Sequence, residues 1–224
     1  MEYNLSFDYA AAIILLILIV ALSTVYYTDT DRTKLFRMYT ICSLVNAILD
    51  IITAYTISYA EYVPDALNIV LNTLYQCSSI VSVSYGVLYF YEYCEARGDK
   101  NLLIDRLIRC FYFGMLALNM LFGYMFTFTG HEYVHGPLFL AAYIVPFILV
   151  AHAWGNAIYN CKKYELSKLL LTFIFLAVPI ACGIMQAIIG SVTLVAFGEA
   201  LCALIMIFSL ETPEYRKLTQ TLFE

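Results

Sequence analysis

Residues 167–210 read SKLLLTFIFLAVPIACGIMQAIIGSVTLVAFGEALCALIMIFSL. After Lys168 the only charged side chain in this stretch is Glu199. The run covers about 44 residues, and a bilayer-spanning helix uses roughly 20, so a single helix is far too long and two helices that turn near Gly190-Ser191 are required. Working back from this pair, apolar runs of spanning length fall at about residues 9–27, 35–58, 66–91, 107–128 and 137–159, ahead of 167–190 and 191–210. Splitting the last run makes the count seven. An odd count puts the two termini on opposite sides of a membrane.

The basic residues say which side is which. Arg32, Lys34 and Arg37 lie at the first connection, and Arg97, Lys100, Arg106 and Arg109 at the third. Lys162, Lys163 and Lys168 lie at the fifth, and Arg216 and Lys217 follow the last run. These are all 12 Lys and Arg of the chain. The other side, made of Met1 to Asp8, the Glu61/Asp65 connection, the His131-Glu132/His135 connection and the Gly190 turn, has none. Lys and Arg are retained on the cytoplasmic side, so the N-terminus is expected outside and the C-terminus in the cytoplasm of a multi-pass cell-membrane protein. The first apolar run is read as a retained helix, because the acidic leader Met1 to Asp8 lacks the basic n-region of a secretory signal.

Composition agrees: 62% of the 224 residues are hydrophobic and 13% charged, against about half and a quarter in soluble domains. Loops this short leave no space for a separate soluble domain within 1–210, and nothing in the charge pattern suits nucleic acid. The seven cysteines lack CxxC or zinc spacing and fall in spans or on the cytoplasmic side, so free thiols are expected. No inverted repeat of the transporter kind is visible.

An ionisable side chain inside a span is costly and is a functional candidate by default. Three qualify: Asp50 in the second run, His152 in the fifth and Glu199 in the seventh. Amides surround them, with Asn46/Asp50, Asn72/Gln76 and His152/Asn156 spaced i, i+4 so that each pair shares one helix face. Asp50, Asn72, Gln76, His152, Gln186 and Glu199 are the expected ligand-binding set, with Asp50 and Glu199 as polar anchors. The alternative role for these groups is to tie helices together by hydrogen bonds. No Lys or Arg shares the spans with the two carboxylates. They are therefore protonated, paired with His152, or kept for a cationic ligand or ion. Pro146 and Pro179 should kink the fifth and sixth helices and open space beside them, and mid-span Tyr55, Tyr75, Tyr85 and Tyr143 offer amphipathic walls.

His131-Glu132-Tyr133-Val134-His135 satisfies the H-E-x-x-H pattern of zinc proteases, but that motif works on a helix. Here Gly130 and Gly136-Pro137 bracket it as a loop, so no metal site is assigned. The seventh run has no lysine for a retinal Schiff base, and phosphate-binding loops and catalytic triads are missing. No cofactor and no catalytic residue are expected.

Beyond residue 210 the chain reads Glu211-Thr212-Pro213-Glu214-Tyr215-Arg216-Lys217-Leu218, with Leu222 following. Thr212 suits an N-cap and Pro213 a first helical turn. Tyr215, Leu218 and Leu222 start a 3,4-spaced seam of the coiled-coil type. Residues 211–224 are thus expected to begin a cytoplasmic signalling helix that pairs with a second copy of the chain, and residues 1–210 to be the membrane part of something longer. The layout of seven spans ending in Leu210-Glu211-Thr212-Pro213-Glu214-Tyr215-x-x-Leu218 resembles the N-terminal sensor regions of bacterial seven-transmembrane histidine kinases and GGDEF-type diguanylate cyclases, especially those of Gram-positive anaerobes. The resemblance is specific in motif only over about residues 209–224. It implies a homodimeric input domain that passes a ligand-dependent change through the juxtamembrane helix to a cytoplasmic output, as in two-component signal transduction. A small transporter or an ion or proton channel using Asp50, His152 and Glu199 is the competing expectation.

Overall fold

The computed structural model describes residues 3–24, 30–94, 98–159 and 166–207. They form a mostly helical bundle: α1 Ser6–Thr24, α2 Asp31–Ser58, α3 Asp65–Tyr93, α4 Asp99–Phe122, α5 Ala141–Tyr159, α6 Leu166–Ile189 and α7 Val195–Met206. A short 3-10 turn, Ala60–Tyr62, joins α2 to α3, and a hairpin of β1 Phe126–Thr129 and β2 Glu132–His135 joins α4 to α5. Among the described residues, four helices (α1, α2, α3 and α5) are long and apolar enough to cross a membrane.

The bundle buries polar side chains beside its apolar core and leaves apolar ones outside. Along α2 the buried face carries Thr33, Thr40, Ser43, Asn46, Asp50 and Thr53, whereas Ile41, Val45, Ile48 and Ile52 point outward. On α1 the buried stripe is Asp8, Ala11, Leu15, Leu18 and Leu22, spaced alternately three and four residues apart as helix packing requires. Its other face shows Ile13, Leu16, Ile17 and Val20. Such an exterior suits lipid, and polar groups gathered in the interior suit helix-to-helix hydrogen bonds.

α1, α2 and α7 pack against one another. α3 lies along α2 and holds α4, α5 and β1, while α6 leans mainly on α7. Two ends can be distinguished. At the basic end Arg32, Lys34 and Arg37 start α2 and Lys100, Arg106 and Arg109 lie on the first half of α4. At the hairpin end, His131 Nδ1 stands 3.4 Å from Asp65 Oδ1, and Asn4 forms a parallel bridge with Val192.

Several boundaries differ from expectation. The fourth apolar run was expected over 107–128. Its helix starts at Asp99, eight residues earlier, and stops at Phe122. Gly123 (φ 66°) takes the left-handed cap there and donates to Asn119 O at 2.8 Å, and Phe126–Thr129 enter the hairpin. The His131–His135 segment is not a plain loop: Glu132–His135 is a strand, in register Phe126↔His135 to Thr129↔Glu132. Aromatic stacking explains it, since Tyr133 lies 5.9 Å from Phe126 and 5.4 Å from Phe128 between ring centroids. His131 lies in the turn (φ 65°) ahead of the strand, and an extended chain rises about 3.3 Å per residue, so His131 and His135 lack the common helical face a zinc-protease motif needs. The last helix begins at Val195 instead of 191, after a turn at Gly190 (φ 67°). The expected signalling helix of 211–224 lies outside the described residues.

Candidate functional site

A cavity of about 530 Å³ lies among α3, α5, α6 and α7, with Tyr39 of α2 reaching its edge. Its volume is that of a small-molecule site. Both internal prolines, Pro146 and Pro179, stand in its wall. A proline removes one helical hydrogen bond and its ring pushes the preceding turn aside, which suits a helix that borders a cavity. Of the expected ligand residues, Gln76, Gln186 and Glu199 line the cavity, along with Tyr75 and Tyr143.

Glu199 is the centre of the polar network. It is 1% exposed, and its Oε2 accepts from Asn46 Nδ2 at 3.4 Å. Asn46 in turn accepts from Ser78 at 2.8 Å, and Tyr39 donates to the Glu199 backbone carbonyl at 3.1 Å. Ser43 and Ser82 share a 2.8 Å hydrogen bond close by. Oε1 of Glu199 has no hydrogen-bond partner among the described residues. A buried carboxylate oxygen without a donor is expensive, and this one belongs to a residue of the cavity wall.

Asp50 stands one step behind the wall. Its Oδ2 accepts from the Tyr75 hydroxyl at 3.3 Å, so the tyrosine that lines the cavity links it to the carboxylate. Asp8 is a third buried acid. It is fully buried, receives a hydrogen bond from Thr193, and leaves Oδ1 unpartnered among the described residues. Asp8, Asp50 and Glu199 are all buried. No Lys or Arg occurs on α1, on α2 beyond Arg37, on α3, on α5 or on α7, so three carboxylates share this half of the bundle without a fixed cation. At its edge, burial and the nearby Asp50 raise the Tyr3 phenol above its ordinary range.

The remaining expected residues are placed differently. Gln76 lines the cavity, and its Oε1 accepts from Tyr112 at 2.8 Å. The Oε1 of Gln186 accepts from the backbone N–H groups of Leu194 (2.7 Å) and Val195 (3.0 Å). It thereby caps the start of α7, and only its amide nitrogen has capacity left for a ligand. Asn72 is buried outside the cavity wall and donates to Asn68 O at 2.9 Å.

His152 belongs to a separate cluster and pairs with neither Asp50 nor Glu199. Its Nδ1 is 2.8 Å from Asp105 Oδ1 and 3.3 Å from Tyr91 Oη, and its Nε2 is 3.2 Å from Asn156 Nδ2. An amide nitrogen donates only, so Nε2 accepts and the neutral ring carries its proton on Nδ1, toward Asp105. Asp105 is 1% exposed. The cluster ties α3, α4 and α5 together near the basic end. Asp105→Ala is expected to lower the unfolding free energy by about 1–2 kcal/mol, because the imidazole N–H loses its charged acceptor; denaturant titration in detergent micelles reads this, and Asp105→Asn should recover part of it.

Asp8 and Asp105 were not read as candidates from the sequence, because each sits at the polar edge of an apolar run. The available signal was spacing. Asp8 continues the 3,4 stripe of Ala11, Leu15, Leu18 and Leu22, and Asp105 precedes the buried Tyr112 and Leu116 by seven and eleven residues on one helix face. Tyr55 and Tyr85, expected as possible walls, do not line the cavity; Tyr55 is exposed and shares a 2.7 Å hydrogen bond with Tyr9. Cys42, Cys77, Cys110, Cys182 and Cys202 are free thiols.

The chain matches no protein-family model and no curated protein.

Proposed function

We propose that this chain is the sensory input domain of a multi-pass cell-membrane receptor. In this reading all seven helices span the bilayer, with the N-terminus outside. A small molecule occupies the cavity between α3, α5, α6 and α7, and α7 carries the change to a cytoplasmic output domain of the histidine kinase or diguanylate cyclase kind. Homodimerisation through the segment after α7 belongs to the same reading. One observation supports it above the others: Glu199, an acid of the cavity wall with an unpartnered oxygen, is on α7 itself. A ligand that satisfies that oxygen interacts differently with different placements of the helix, which is the condition for shifting a conformational equilibrium.

The test is a small-molecule thermal-shift screen on the purified chain, run in parallel on Glu199→Gln. At least one compound should raise the unfolding midpoint of the wild type by several degrees and lose most of that shift in the variant. A screen with no stabilising compound removes the reading.

Transport is the second reading. The three buried carboxylates favour it, since chains of intramembrane acids carry protons or cations. The sequence-based relay also included His152, but its ring nitrogens are taken up by Asp105, Tyr91 and Asn156. Flux of protons or cations into proteoliposomes that is lost in Asp50→Asn favours transport over reception.

A further inference from the structure

The cavity is open on one side, and its two edges are the outer surface of the bundle. Ile144 and Phe147 on α5, and Ile184 and Ile188 on α6, all line the cavity. The same four residues are 49%, 47%, 56% and 75% exposed. The opening therefore faces sideways, onto the apolar exterior, between the two helices that carry the internal prolines. A molecule that reaches the cavity by this route first dissolves among lipid chains.

The chemistry on the rest of the wall is of one kind. Glu199 has a buried oxygen, Oε1, with no hydrogen-bond partner among the described residues, close to the Ser43–Ser82 pair, and Tyr39, Tyr75 and Tyr143 supply aromatic rings. Asp50 lies behind Tyr75. Carboxylate and aromatic faces together recognise a positively charged nitrogen, through a charge-assisted hydrogen bond and through cation–π attraction. An anionic head offers the orphan oxygen no donor and would add a further acid to a wall that already holds Glu199, with Asp50 behind it. A neutral alcohol could donate to the orphan oxygen but brings no positive charge to pair with a carboxylate.

We propose that the ligand is a membrane-soluble organic ammonium: an apolar body that passes between α5 and α6, with a protonated amine that binds Glu199 Oε1. This rests on the receptor reading for its biological use, but binding can be measured without any output.

Wild type, Glu199→Gln and Ile184→Trp are reconstituted in lipid nanodiscs. Dodecylammonium, dodecanol and dodecanoate are compared for saturable binding above protein-free discs. Dodecylammonium should bind saturably and dodecanoate should not. Glu199→Gln should weaken the amine by about tenfold or more, the scale of one charge-assisted hydrogen bond, and Ile184→Trp should slow its association several-fold with helical content unchanged. Dodecanol bound as tightly as the amine, or amine binding untouched by Glu199→Gln, overturns the cationic assignment and leaves the receptor reading intact. An unaltered association rate in Ile184→Trp overturns the lateral route. Absence of saturable amine binding to the wild type overturns the proposal, whereas amine binding that leaves the output of the full receptor unchanged counts against reception alone. If Glu199→Gln does not fold, the ranking of the three probes on the wild type decides.

Discussion

Asn119→Ala should cost the fold about 2–4 kcal/mol, among the largest losses available from a single polar side chain. Asn119 is 2% exposed near the end of α4. Its Oδ1 accepts from two successive backbone N–H groups, Met125 at 2.6 Å and Phe126 at 3.0 Å, while its own carbonyl accepts from Gly123 at 2.8 Å. One residue thus receives three backbone donors of the turn from α4 into β1. Alanine keeps the Gly123 bond and strands the other two donors in a site closed to water, each worth about 1–3 kcal/mol when left unmade. The loss should appear in denaturant titrations. Hydrogen exchange should show Met125 and Phe126 losing protection while amides in the middle of α2 keep theirs. Asn119→Asp retains the acceptor and should recover the exchange pattern in part. Equal protection in Asn119→Ala and the wild type would mean that the hairpin is held by its aromatic stack alone.

Gly198→Ala should cost about 1–3 kcal/mol, the range for overfilling a packed interior, and should displace Glu199. A Cβ at position 198 would lie 2.9 Å from Pro179 Cα, 2.9 Å from Cys182 Cβ and 3.0 Å from Cys182 Sγ. Two of those atoms belong to a side chain, but the Pro179 contact is backbone and cannot rotate away. α6 and α7 must separate, as at other helix crossings where small residues set the approach. Gly198→Val should be worse. Adding Cys182→Ala to Gly198→Ala should return little stability, because the Pro179 contact persists. Since residue 198 precedes the acid of the cavity wall, the amine affinity defined above should also fall in Gly198→Ala. A variant as stable as the wild type with unchanged affinity would show that α7 shifts without effect on the site.

Helix number and approximate position were legible in the sequence, because runs of some 20 apolar residues leave little choice of structure. Helix ends were less so. Phe122 to Phe128 is as apolar as the helix before it, and only the left-handed cap at Gly123 together with the pairing of Phe126 and Tyr133 takes it out of the helix. That pairing is made by residues seven apart whose partnership no local pattern announces. The candidate site was legible as a set of residue types and not as a set of contacts. Glu199 and Gln76 line the cavity, but Gln186 uses its oxygen to cap α7, and His152 pairs with Asp105, a residue hidden among basic neighbours. Burial of a side chain at the margin of an apolar run depends on how a neighbouring helix is tilted, and that is tertiary information.

The strand-like bridge near the start of the chain bears on how α7 can move. Asn4 N donates to Ser191 O at 2.9 Å, the Thr193 hydroxyl donates to Asp8, and the same hydroxyl lies 3.3 Å from Asn4 O. These bonds fasten the outset of α7 to α1 and give the helix a pivot at that end. Val195–Met206 spans about 18 Å at 1.5 Å per residue. Tilting such a rod by about 5° swings its far end by roughly 1.5 Å, comparable to the interface shifts that switch other helical proteins. In the receptor reading, the clasp at the N-terminus turns a push beside Glu199, one turn from the pivot, into a larger sweep at the opposite end.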